Sequence, residues 1–152
     1  ATIDSSGRIL QPAKPAFRVK FNADTPVINI SANTEISWNT YGSVDFDIGG
    51  HFDLANSKYV VPITGLYQIN LQIAIDDVQS STGVYAYVNV NGSNLYMGSI
   101  TDPQGGKYES SRYSGLLSFS AGDEIKTQFR TITDTSVVIR GVTTDFSGYL
   151  IG

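Results

Sequence analysis

From Tyr67 to Ile75 the chain alternates without a break. Tyr67, Ile69, Leu71, Ile73 and Ile75 fall on one side, and Gln68, Asn70 and Gln72 on the other. A period of two kept up over this length predicts a long β-strand with one face in a core. Ahead of it, Pro62 lacks the amide hydrogen that would continue a ladder, and Gly65 permits a sharp entry. The other face is polar, yet it carries amides where an exposed strand usually carries Lys, Glu or Thr. An amide both donates and accepts, so Gln68, Asn70 and Gln72 are expected to face neighbouring subunits, together with Leu116 and Tyr149.

The same pattern, broken by turn residues, runs through the rest of the chain. Residues 1–15 read as a tether: two short strands around Asp4-Ser5-Ser6-Gly7, then Pro12 and Pro15 as stiffeners. Phe17, Val19 and Phe21 alternate inward as a first strand of the head, which spans residues 16–152. A brief segment at 27–30 follows, and 36–38 reads as a short strand carrying Trp38. Residues 47–53, with Gly49-Gly50, read as a corner. Val84 to Val90 alternates into Asn91-Gly92, a tight hairpin signal, with 95–100 as partner. Strands are further expected at 112–119, 124–130 and 146–151, with a Val137-Val138-Ile139 segment between the last two. Residues 101–109 read as a loop. No helical periodicity occurs, so about eight to ten short strands predict an all-β sandwich in one domain.

Composition narrows the function. Of 152 residues, 41% are apolar and only 16% charged, with nine Tyr and fifteen Gly. This is a globular, β-rich chain that fits an extracellular or viral module. Fourteen acids against ten bases give a net charge of −4. With no basic cluster, neither phosphate neutralisation nor a polybasic anchor is available, so nucleic acid and anionic membrane are not expected partners. No apolar run is long enough to span a bilayer. With no cysteine, disulfides, thiolate metal sites and cysteine catalysis are excluded. Toughness outside the cell would then come from oligomerisation.

Several segments in sequence order resemble the globular head of the complement subcomponent q family and its tumour necrosis factor relatives. They are Ala16-Phe17, Gly50-His51-Phe52-Asp53, residues 59–67, Val88-Asn89-Val90-Asn91-Gly92, Ser114-Gly115-Leu116-Leu117, Ala121-Gly122-Asp123 and residues 146–151. The resemblance implies a jelly roll of two antiparallel sheets in Greek-key order, about ten strands, assembled as a homotrimer. Two departures stand out: Ser57 replaces a usual Gly, and the cysteines common in animal members are missing. The leader, residues 2–10, looks like segments that precede terminal domains of bacteriophage tail fibres. Such proteins assemble in a reducing cytoplasm, where a chain without cysteine is natural.

Candidate chemistry is sparse. His51, flanked by Asp47 and Asp53, has no nucleophile elbow beside it and reads as corner packing. Facing carboxylates for a polysaccharide depolymerase cannot be placed. Asp45 and Asp47, or Asp76 and Asp77, offer oxygen ligands for calcium without a twelve-residue calcium loop. Asp76 and Asp77 have the better claim, because relatives in the resembled family often hold calcium near the trimer apex. Asn29-Ile30-Ser31 and Asn91-Gly92-Ser93 fit the N-glycosylation pattern, which is common by chance. In the resembled topology both termini share one end, and connections 22–33, 76–83, 101–109 and 131–145 lie at the other. Long loops far from a tether are where recognition usually sits, which makes Asp76, Asp77, Asp102, Lys107, Tyr108 and Arg140 the ligand-binding candidates. The expected function is a non-enzymatic recognition head, the virion's receptor-binding tail-fibre tip, attaching to a host cell-surface glycan or protein. The alternative is a secreted head domain on a collagen-like or other stalk.

Overall fold

A computed structural model describes residues 2–3, 5–7, 9–10, 13–26, 28–29, 34–76, 84–100, 108–131, 136–141 and 143–152. In the leader, β1 (Thr2–Ile3) and β2 (Ile9–Leu10) pair antiparallel. The head divides into two sheets. The first contains β3 (Ala16–Phe21), β4 (Ile28–Asn29), β6 (Gly42–Ile48), β9 (Gly65–Asp76), β12 (Tyr108–Phe119), β14 (Ser136–Ile139) and β15 (Asp145–Leu150). The second contains β5 (Thr34–Glu35), β7 (Phe52–Asp53), β8 (Lys58–Val60), β10 (Val84–Val90), β11 (Ser93–Ile100) and β13 (Glu124–Thr131). The pairings are antiparallel, and neighbours in space are often distant in sequence, so the fold is an antiparallel jelly roll.

The strand at Gly65–Asp76 organises the first sheet. One edge of β9 pairs with β12 along its whole length, from Gly65↔Phe119 to Asp76↔Tyr108. The other edge takes β15 at Tyr67–Gln72 and β14 at Ile75–Asp76. Beyond β15 lie β3 and then β6. Tyr67, Ile69, Leu71, Ile73 and Ile75 are at most 1% exposed, as the alternation predicted. They pack against Ala86, Val88, Ile125 and Phe129 of the second sheet, all in one core. Phe17 stacks on Tyr59 at 4.0 Å and meets Phe146 edge-on at 4.9 Å, joining the sheets with aromatic contact.

Three local features differ from the sequence reading. Residues 38–41 form a single helical turn, α1 (Trp38–Tyr41), rather than continuing a strand. The turn seats the indole in the core, where Trp38 Nε1 donates to Thr127 Oγ1 at 3.0 Å and satisfies a buried hydroxyl. The strand β6 occupies ground read partly as corner, and only Gly49 and Gly50, at φ 102° and 72°, make the turn. β12 begins at Tyr108, so its first residues are strand and not loop. The departure at Ser57 also has a physical meaning. Its φ is 51°, a left-handed conformation that glycine adopts without cost.

Tyr59 carries a testable anomaly. Its hydroxyl is buried with no hydrogen-bond partner among the described residues, and burial, then Tyr67 and Asp47, push its pKa far above the ordinary tyrosine value. A buried polar atom left unpaired costs about 1–3 kcal/mol. Tyr59→Phe removes the oxygen and keeps the ring, so thermal unfolding should move up or stay level. A clear drop in melting temperature would show that the hydroxyl is bonded.

Candidate functional site

The outward face of the first sheet is the most distinctive surface. Gln68 is the register partner of both Leu116 and Tyr149, and Tyr149 in turn pairs with Ala16, which pairs with Ile48. Leu116 and Tyr149 are 55% and 49% exposed. Phe46, Ile48, Leu66 and Ile151, which the sequence reading did not single out, are exposed on the same face. The six come from four strands, β6, β15, β9 and β12, with Ile151 just past β15, and form an apolar band that crosses β3 at Ala16. It lies at the tether end: Leu150 N–H donates to Pro15 O, Lys14 Nζ to Ile151 O, and Leu66 N–H to Gly152 O. The start and the end of the head, at Pro15 and Gly152, therefore share this end.

Farther along the same face the surface turns polar. Gln68 Nε2 donates to Asn70 Oδ1 at 3.1 Å and Ser114 Oγ at 3.0 Å, and Ser114 Oγ donates to Asn70 Oδ1 at 2.8 Å. The two amides are thus bound partly to each other within the chain. What this leaves uncommitted among the described residues is the Gln68 carbonyl and the Asn70 amide hydrogens. Gln72 sits between its register partners Arg112 and Asp145, in a cleft of about 370 Å³ that Asn70, Ser114 and Ser147 also line. Beside it, Arg18 bridges Asp145 at 3.1 Å and Asp45 at 3.5 Å, while Lys20 holds Asp45 at 2.9 Å. The hydrogen bond from Lys20 keeps the Asp45 carboxyl below its usual range; burial opposes this, and the charges of Lys20 and Arg18 add to it. A carboxyl depressed in the fold stabilises it above the ordinary value of 3.8 and loses that effect as pH falls through the folded value.

The far end gathers some of the ligand candidates. Asp76 and Tyr108 are direct register partners, and Val138 pairs with Asp76 on its other edge. Arg140 follows immediately, with its N–H donating to Ala74 O. Asp76, Tyr108 and Arg140 are therefore brought together by backbone register. Arg140 is engaged, since its Nη1 donates to Asp24 Oδ2 at 2.8 Å while Gly141 N–H donates to Asp24 Oδ1. Asp77, Asp102 and Lys107 lie outside the described residues. No three acidic or histidine side chains converge as metal ligands among the described residues, so calcium stays a proposal attached to Asp76 and Asp77. The tight turns lie at the opposite end, where Asn91 and Asp123 hydrogen-bond at 2.9 Å. His51 packs over Gly49 and edge-on to Tyr59 at 6.5 Å, the corner role expected of it.

A sandwich whose first sheet runs β6-β3-β15-β9-β12, and whose second runs β11-β10-β13-β8-β7, defines a jelly-roll head domain with its termini at one end. A model of the C1q domain matches residues 16–151, and the chain belongs to the C1q-domain family. Solved structures share the fold at low identity. Murine APRIL at pH 8.0 superposes with a TM-score of 0.65 at 16% identity, covering 91% of this chain and 100% of its own. The globular domain of zebrafish complement 1qA gives 0.61 at 12%, covering 92% and 98%. Eiger TNF from S. frugiperda gives 0.60 at 12%, covering 92% and 94%. No curated protein matches the chain. Domains of this family are typically recognition modules rather than enzymes. Among the described residues, no helix is long and apolar enough to cross a membrane.

Proposed function

We propose that the protein is a homotrimeric recognition head, the tip of a bacteriophage tail fibre that attaches to a bacterial surface glycan or protein. The apolar band Phe46, Ile48, Leu66, Leu116, Tyr149 and Ile151 carries the reading. An exposed apolar patch of this kind marks an interaction surface, and its place beside the tether suits contact between copies held on one stalk. The leader supports the fibre context, because its two short strands pair as a hairpin ahead of the head. The ligand would then meet the far end, at Asp76, Asp77, Asp102, Lys107, Tyr108 and Arg140, with calcium as an accessory at Asp76 and Asp77. Of these, Arg140 has the weakest claim, because Asp24 already holds its guanidinium. Lys107→Ala combined with Tyr108→Ala should abolish binding of the labelled head to responsive strains in a panel of bacteria, with its mass in solution unchanged. Undiminished binding would remove the far end from the recognition surface.

A further inference from the structure

We propose that the outward face of the second sheet is a saccharide platform selective for acidic sugars, built from Tyr85, Tyr87, Gln128 and Arg130. The placement follows from alternation along β10. Ala86 and Val88 are fully buried in the core, so Tyr85 and Tyr87 stand on the opposite face, each half-buried. Their ring centroids are 6.3 Å apart and their planes 31° from parallel, which makes one shallow aromatic surface. Register sets Arg130 beside Tyr85 and Gln128 beside Tyr87.

Polar groups around the rings are held in place with donors left over. Asn89 Nδ2 donates to Asn94 Oδ1 at 2.8 Å, and Asn94 Nδ2 donates to Gln128 Oε1 at 3.0 Å. That chain occupies the Gln128 carbonyl and leaves its amide hydrogens uncommitted among the described residues, at the register position beside Tyr87. The cations on this face differ in the same way. Lys58 is paired with Glu124 at 2.5 Å and Lys126 with Glu35 at 3.1 Å, whereas Arg130 makes no ion pair among the described residues. Its guanidinium lies 5.4 Å from the Tyr85 ring centroid. A ring orients a guanidinium without using its N–H groups, so the full fork stays available for a carboxylate.

These features together select the ligand. The C–H face of a sugar ring stacks on a tyrosine, its hydroxyls accept from an amide, and a carboxylate on the same sugar reaches the arginine. In a chain of net charge −4, an oriented cation with no ion pair among the described residues marks where an anion is meant to sit. A protein partner or a second copy fits less well, because none of these four residues is among the exposed large hydrophobics that a dry contact uses. The platform begins next to the Val84↔Thr131 pair, where β10 and β13 meet at the far end. It lies on the other sheet from the apolar band, so assembly leaves it open.

The inference rests on the recognition reading, but its test is read on the isolated chain whatever the oligomeric state. Titration calorimetry would compare galacturonate oligosaccharides, neutral galactose oligosaccharides of equal length, and polyglutamate. Galacturonate should bind about tenfold more tightly than the neutral sugar, the size of one charge-assisted contact, and polyglutamate should not bind. Arg130→Gln should bring galacturonate down to the neutral level. Tyr87→Ala should remove binding of both sugars, while Tyr87→Phe keeps the ring and the binding. Arg130 is exposed, so its substitution gives a result even if Tyr87→Ala fails to fold. The platform is overturned if galacturonate does not bind, if polyglutamate binds as well, or if Arg130→Gln changes nothing. Failure here with bacterial binding intact would leave the recognition head standing without this site.

Discussion

Leu116→Asp is expected to dissociate the head and to unfold it in the same transition. Leu116 lies on the edge strand β12 at one end of the apolar band, across Gln68 from Tyr149, and each copy would bring an unpaired carboxylate into the contact. Burying a charge without a partner is among the most expensive single changes a protein can undergo. Tyr149→Ala should act in the same direction by removing a large ring from the band. With no disulfide in the chain, the lost interface is apolar burial at roughly 25 cal/mol per Å², and nothing covalent replaces it. The wild-type melting temperature should accordingly rise with protein concentration. A folded Leu116→Asp monomer with unchanged heat resistance would place the subunit contact elsewhere.

The second large effect is expected at Gly98, far from that band. Gly98 faces Ala86 on the inward side of β11, and β11 and β12 are edge strands of opposite sheets that close against each other here. A Cβ on Gly98 would lie 1.9 Å from the Arg112 carbonyl oxygen and 2.4 Å from its carbon. Both are backbone atoms and cannot swing aside as a flexible side chain does. Gly98→Ala must therefore push the sheets apart, at about 3 kcal/mol by the scale of overpacked cores. For a chain of this length that lowers the melting temperature by roughly 6–12 °C. A variant melting with the wild type would mean that the two edges do not meet at this point.

What was legible in the sequence depended on whether a single strand carried the signal. The alternation of β9 predicted its core face residue by residue, and by elimination the face on which Gln68, Asn70 and Gln72 lie. Leu116 and Tyr149 could be put on that face because their strands alternate too. Phe46 and Ile48 escaped, since they alternate with Asp45 and Asp47 just before two glycines and the stretch reads as a corner. The start of β12 escaped for the opposite reason. Glu109, Ser110 and Ser111 carry no apolar signal, and they are strand because twelve residues of β9 offer them a ladder. Trp38 was legible as a strand residue, but not as part of a helical turn, because its hydrogen bond to Thr127 joins residues 89 positions apart. The Arg140–Asp24 pair, 116 positions apart, was beyond reach in the same way. Tyr85 and Tyr87 were legible as strand residues, but which neighbours flank them is a property of the sheet alone.

If the apolar band joins three copies, the mass of the head in solution shows it. Sedimentation equilibrium or light scattering at micromolar concentration should give three times 16.4 kDa, about 49 kDa, and Leu116→Asp should return the value of a single chain. A wild-type head that is a 16.4 kDa monomer under those conditions would contradict the account.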